Sequence, residues 1–345
     1  MPPPSKKRKE TREEKEEADD YDGPITGQEG ASIGQQTSHI KNKLRRAELY
    51  SKLKHQQKKE KSAVRSKRQK EVQVAESMGL EPPPKRIPKT LENTREKDET
   101  MVAADDEEVA ADEAQDEFAA HFNKDRAPKV LLTTCFKPSG VMYTFLSELL
   151  EVLPHAEYYK RNGLPLKKIT QFASKRDYTD LIVLNEDRKS LNGLLLIHLP
   201  DGPCAQFRLS NLKLGKDIKG HGRATHHKPE LILNNFGTRL GHRVGRMFAS
   251  LFNQDPTFRG RRVVTFHNQR DYIFVRHHRY IFEEKSKKTK GKDPTTVVNA
   301  RLQELGPRFT LRLQSLQKGT FDSKFGEFEW LHKHDMDTSR RRFHL

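Results

Sequence analysis

Two cysteines in 345 residues, Cys135 and Cys204, are too few and too widely spaced for a disulfide framework or a thiolate metal site. A reduced, intracellular compartment is the expectation. Long apolar runs are missing as well. No stretch approaches the roughly 18 consecutive apolar residues of a membrane helix, and no apolar signal core follows Met1, so no membrane partner is expected. There is no phosphate-cradling glycine loop, and Gly220-His221-Gly222 is too short for a dinucleotide fingerprint. Hydrophobic residues make up 33% of the chain, the same share as charged ones, and the mean hydropathy is -0.91. Such a composition predicts a globular part joined to long disordered segments.

Catalytic constellations are also wanting. Of the fifteen histidines, His221, His226 and His227 share a Gly/Lys-rich loop without cysteine or carboxylate partners at ligand spacing. His277 and His278 are neighbours on a strand and face opposite ways, while His332 and His334 share a side only if their segment is extended. Cys135 follows a buried strand and reads as a structural thiol. No metal, cofactor or catalytic residue is expected. The chain reads as a binder.

What the sequence does have is positive charge: a formal +17 and a pI near 9.7, which point to a polyanionic partner. Residues 41–70 carry thirteen Lys and Arg against two Glu, with Leu44, Leu49, Tyr50 and Leu53 as a thin apolar stripe. A solitary basic helix that orders on RNA fits this run, with Arg45, Arg46, Lys58 and Lys59 as contacts; a merely solvated charged helix fits any single residue of it equally well. Lys6-Lys7-Arg8-Lys9 reads as a nuclear localisation patch. After the spacer Pro82-Pro83-Pro84, residues 105–117 hold eight carboxylates and no base. That block suits a solvated tail, a basic partner protein, or a cover for the chain's own basic surface.

Composition changes at Pro128. Residues 129–134 predict a buried strand, and 138–153 a helix facing inward with Val141, Phe145, Leu146, Leu149, Leu150 and Leu153. A second helix is expected over 166–173, a second buried strand over 181–184, and a hairpin over 194–212 turning at Asp201-Gly202. The pattern then recurs: a strand at 231–234, a helix over 239–252, and a hairpin of 263–266 with 272–281. Two similar α/β halves on one helix-covered sheet are the economical reading. The divisions expected are a disordered extension, first basic and then acidic, over 1–127, a folded domain over 128–322, and a basic tail over 323–345. A charged excursion at 285–292 separates the core from the last strand-like segment.

Two basic faces stand out on this frame. On the helix from 239, Arg239, His242, Arg243 and Arg246 fall at i, i+3, i+4 and i+7, and Gly241 and Gly245 permit close approach of RNA or of the sheet. In 305–322 a Gly306-Pro307 turn precedes Phe309, Leu311 and Leu313, which alternate with Thr310 and Arg312. One face of that segment is apolar, and the other offers Arg308, Arg312 and Lys318 to phosphate. An amphipathic edge strand with solvated charges, and a solvated basic helix, are the plain alternatives.

The runs NNFGTRLG over 234–241, VTFHNQRDYIF over 264–274 and ELGPRFTL over 304–311 resemble the Brix-domain proteins, the last being similar to that family's sigma-factor-like RNA-binding motif. DLIVLNEDR over 180–188 and MDTSRRRFHL over 336–345 narrow the resemblance within the family. It implies a Brix fold of two pseudo-repeated halves, each similar to the anticodon-binding domain of class II aminoacyl-tRNA synthetases. It further implies a non-catalytic nucleolar assembly factor of the large (60S) ribosomal subunit, active in pre-rRNA processing. Such a factor binds precursor rRNA on the pre-60S particle and pairs with a smaller assembly factor. A protein scaffold with little RNA contact of its own is the alternative.

Overall fold

Leucine- and β-branched-rich runs too short for helices become strands, and the longer stretches with a 3.6-residue period become the helices that cover them. The computed structural model describes residues 32–78, 90, 93–96, 98–103, 106–254, 261–287, 295–322, 325–337, 339 and 341–345. The chain divides into two compact units, Met1–Ile87 and Pro88–Leu345. Lys6-Lys7-Arg8-Lys9, Pro82-Pro83-Pro84 and Arg340 lie outside the described residues.

In the first unit, helix α1 (Ile33–Thr37) starts from a reciprocal cap: the Ser32 hydroxyl accepts the Gln35 N–H, and the Gln35 side chain accepts the Ser32 N–H. Helix α2 (Lys43–Ser77) runs for 35 residues, about 52 Å at 1.5 Å per residue. None of its described side chains is buried, and Leu44, expected on an apolar stripe, is 77% exposed.

The second unit opens with two short helices, α3 (Glu107–Ala114) and α4 (Ala119–Phe122). Its first half is β1 (Val130–Thr134), α5 (Gly140–Val152), β2 (Ala156–Tyr158), α6 (Leu166–Ser174), β3 (Asp180–Asp187), β4 (Ser190–His198) and β5 (Cys204–Lys213). The second is β6 (Glu230–Asn234), α7 (Arg239–Ala249), β7 (Arg262–Gln269), β8 (Tyr272–Lys287), β9 (Thr295–Glu304) and β10 (Arg308–Gln317), followed by β11 (Phe328–Leu331). The strands make one sheet in the order β2-β1-β3-β4-β5-β10-β8-β7-β6, with β9 on β8 and β11 on β10.

That order carries the pseudo-repeat. β1 and β3 run parallel around α5 as β6 and β7 do around α7. β3 turns into antiparallel β4 through Arg188-Lys189, and β7 into β8 through Arg270-Asp271, with both residues of each turn at positive φ. Paired positive φ angles over two residues match the right-handed strand twist, the type I′ geometry. β5 and β10 then meet antiparallel at the centre, so the halves close on each other.

α5 and α7 cover one sheet face. Phe145, Leu149, Val244 and Phe248 from the helices and Leu132, Phe207, Phe266 and Phe309 from the strands share its core. On the opposite face α6 packs Ile169 and Ala173 over Leu131, Leu181 and Ile197. Three expectations are corrected. The segment from 308 is not an edge strand but sits between β5 and β8, hydrogen-bonded on both sides. Val141 is 47% exposed, because the Ser139 cap phases α5 so that Met142, Phe145, Leu146, Leu149 and Val152 face the sheet. Packing also begins upstream of Pro128: Phe118 is fully buried, Arg95 donates to the Phe343 carbonyl, and Val102 donates to that of Gly237. The carboxylates of 105–117 mask these apolar anchors in composition, and the bases that neutralise them lie far along the chain.

Candidate nucleic-acid interface

The face of α7 opposite the core is set by its N-cap. The Thr238 hydroxyl accepts the Gly241 N–H at 2.9 Å, and the turns that follow bury Val244, Met247 and Phe248. Arg239, His242, Arg243 and Arg246 are thereby brought together on the other side, as their spacing predicts. Each meets a carboxylate. Arg239 pairs with Glu108 at 2.8 Å, His242 Nδ1 with Glu113 at 2.8 Å, and Arg243 with Glu117 at 2.6 Å and Glu329 at 3.1 Å. Arg246 reaches Asp116 at 2.6 Å and donates to the Glu113 carbonyl at 2.7 Å. Of the three destinations open to the acidic block, the structure shows the chain's own basic surface. Phe118 anchors it, packing 4.6 Å from the His198 ring, and the Arg246 guanidinium lies 4.0 Å from the Phe122 ring centroid. The Arg243 hydrogen bond holds the Glu117 carboxyl below the usual carboxylate range. Gly241 makes its close approach to the C-terminal Leu345: a Cβ there would sit 3.1 Å from the Leu345 carbonyl carbon.

On β10, Phe309, Leu311 and Leu313 are buried to within 3% exposure, as the alternation requires. Arg308, Arg312 and Lys318 also have acidic neighbours. Arg308 Nε lies 3.1 Å from Glu304, an ion pair without hydrogen-bond alignment. Arg312 donates to Asp337 at 3.0 Å and to His332 Nε2 at 2.9 Å, over the Tyr272 ring. Lys318 pairs with Glu327 at 3.2 Å, with both side chains more than 60% exposed. Strand register places exposed Arg208 beside Arg312. Arg208 escaped the sequence reading, although the alternation of Gln206, Arg208 and Ser210 along β5 carries the signal.

Arg45, Arg46, Lys58 and Lys59 of α2 are exposed and make no ion pair among the described residues. The helix carries twelve Lys and Arg against four Glu. Its field is that of a positive rod.

A reacting group has little support elsewhere. Buried Asp180 accepts from Thr179 at 2.7 Å and Ser250 at 3.3 Å and pairs with His198 Nδ1 at 2.8 Å. The Ser250 hydroxyl bonds the carboxylate rather than the imidazole, so a nucleophile–base pair is not formed; the set ties β3 and β4 to the end of α7. Burial pushes the Cys204 thiol up to about 12. Among the described residues no group of three or more His, Cys, Asp or Glu is placed to hold a metal ion, and no helix is long and apolar enough to cross a membrane.

A family model described as the Brix domain matches residues 136–315. Ribosome production factor 1 of Pongo abelii is 56% identical to the chain over 310 residues, covering 89% of this chain and 84% of that protein. Ribosome production factor 1 of Xenopus laevis is 59% identical over 272 residues, covering 78% and 76%. Among solved structures, a probable ribosomal biogenesis protein from Aeropyrum pernix K1 aligns with 60% of this chain and all of its own, at 15% identity and a TM-score of 0.40.

Proposed function

The chain belongs to the Brix-domain family, and from that premise we propose that it is a nucleolar assembly factor of the large ribosomal subunit that binds precursor rRNA. Its relatives' names support the broader role in ribosome biogenesis. The observation that carries RNA binding is the contrast between its bases. Those of α7 are tied to carboxylates, Arg246 to an Asp116 side chain only 9% exposed, whereas those of α2 named above are unpaired and exposed. Phosphate exchanges readily only with weakly held counter-charges. The main RNA contact is therefore α2, with Arg45, Arg46, Lys58 and Lys59 on it. Lys318 and Arg312 join when phosphate replaces the exposed Glu327 and Asp337. Arg239, His242, Arg243 and Arg246 act as cross-links that hold the acidic segment down.

A second reading, a scaffold on the pre-60S particle for a smaller assembly factor, is favoured by one feature. The β8–β9 ribbon aligns Tyr280 with Leu302 and Phe282 with Ala300 on one face, with Phe282 58% and Leu302 64% exposed. Two-stranded ribbons are marginal alone, so a protein partner suits this stripe. Titrating a large-subunit precursor rRNA fragment with the full chain over a range of salt separates the readings. Log affinity falling by about 0.7–0.9 per contacted phosphate per decade of salt supports direct RNA binding. A flat dependence leaves the scaffold.

A further inference from the structure

Between α6 and the outer face of β1 lies a groove of about 330 Å³, near the small end of the range for ligand sites, about 300–1,000 Å³. Its wall is aromatic. Tyr178 is buried beneath the ammonium of Lys129, 4.4 Å from the ring centroid, while Tyr159 and Phe172 at the mouth are 49% and 52% exposed. Its rim is cationic: Lys160, Arg161 and Arg176 line it, none in an ion pair among the described residues, and no carboxylate lines it. Its floor holds an orphan. Thr133, 2% exposed, lines the groove, and its hydroxyl is buried without a hydrogen-bond partner. Buried hydroxyls are ordinarily satisfied, and one left unpaired beside an open groove marks a place for a ligand atom.

Each candidate occupant is tested by all three features. An aliphatic anchor from a partner protein fills the apolar space but leaves the hydroxyl orphaned and the rim bases unpaired. A nucleotide answers all three, because its base stacks on an aromatic face, its edge carries donors and acceptors for a hydroxyl, and its phosphate meets the bases. Arg161 is held for this by its own Nε–H, which donates to the Leu164 carbonyl at 2.8 Å and fixes the loop that presents Tyr159.

We propose that this groove binds one unstacked nucleotide of single-stranded RNA, its base between Tyr159 and Phe172, its edge on the Thr133 hydroxyl and its phosphate among Lys160, Arg161 and Arg176. The proposal rests on the RNA-binding reading and adds a second, base-contacting site to the phosphate contacts of α2. The probe is a short fluorescein-labelled oligoribonucleotide containing 4-thiouridine, bound to the full chain and its variants by anisotropy and then photo-crosslinked. Phe172→Ala removes a side chain already half exposed and is expected to weaken binding about tenfold. Thr133→Val, of nearly the same shape, is expected to weaken it about threefold while the melting temperature stays level or rises. Crosslinks are expected within residues 159–178. If the wild type binds the oligonucleotide, both variants match it and crosslinks fall only on α2, the groove is not a nucleotide site and the RNA-binding reading stands. If the wild type binds no RNA, both fall. Displacement of the RNA from α2 but not from the groove by a Glu-rich aromatic peptide supports the proposal; binding of that peptide, and not RNA, in the groove overturns it.

Discussion

His277 is the sharpest test of the fold's second half. It is buried on β8, where its Nδ1 lies 2.8 Å from the Gly306 carbonyl and its Nε2 3.2 Å from Arg262 Nε. A carbonyl only accepts and a guanidinium only donates, so Nδ1 carries the proton and Nε2 must accept. A second proton would set a donor against a donor. Burial, reinforced by the Arg262 charge, pushes His277 down to about 4 from an ordinary 6.5. The sign follows: the unfolded chain takes up a proton below about pH 6.5 and the folded one does not until about pH 4, so His277 favours folding above that window and its contribution is lost as pH falls through it. The full difference is about 2.5 units, or roughly 3 kcal/mol, of which about 1.4 kcal/mol is lost by about pH 5.5. Denaturant unfolding at about pH 7.5 and 5.5, for wild type and His277→Gln, isolates it. The variant starts less stable, since a flexible amide replaces the rigid ring that serves both the Gly306 carbonyl and Arg262, but the wild type should lose about 1.4 kcal/mol more across the interval. An imidazole resonance of His277 titrating near pH 6.5 in the folded protein would falsify the assignment.

Replacing Arg45, Arg46, Lys58 and Lys59 by glutamine should flatten the salt dependence of RNA binding by up to about three units while leaving the melting temperature alone, as anisotropy and calorimetry would show; an unchanged slope removes α2 as the contact. Arg246→Ala leaves the nearly buried Asp116 without a cation and with only the Phe118 N–H as partner, and should cost about 3 kcal/mol in denaturant unfolding without altering that slope, whereas Lys318→Ala should cost less than about 0.5 kcal/mol. Phe309→Ala empties a site 3% exposed where the ring packs edge-on against Phe145 at 5.4 Å, and should cost about 3–4 kcal/mol by chemical denaturation; a loss below about 1 kcal/mol would put the ring outside the core.

Local periodicity made much of the fold legible. Val130–Thr134, Leu166–Ser174 and Glu230–Asn234 stand within a residue or so of where their apolar patterns place them, because such elements are decided by neighbours one to four positions away. The Arg270-Asp271 turn falls inside the hairpin expected over 263–281, but the Arg188-Lys189 turn escaped for a local reason of another kind: it adopts paired positive φ angles without the Asn-Gly or Asp-Gly that advertises them. The central place of β10 depends on strands far along the chain, such as Leu209 opposite Leu311, and nothing in its own ten residues separates it from an edge. Thr133 follows the apolar Val130–Leu132 run near the end of β1, where a hydroxyl reads as a tolerated core residue until its missing partner is seen.

Charge shows most plainly what composition hides. A net +17 invites the conclusion that the folded domain is itself a basic, RNA-coating body. Residues 41–70 alone hold thirteen bases and two acids, or +11, so the other 315 residues carry only +6. Within the folded unit, the bases of 239–246 meet carboxylates of 108–117 that lie some 130 positions upstream, and Arg312 meets Asp337. A base whose carboxylate is itself sheltered gains little by exchanging it for phosphate, since the displaced acid must then find new solvation. Attraction for RNA therefore cannot be read from the density of lysine and arginine along the chain. Uncompensated positive charge concentrates where bases outnumber reachable acids: along α2, and at the rim of the α6–β1 groove, which Lys160, Arg161 and Arg176 line and no carboxylate does.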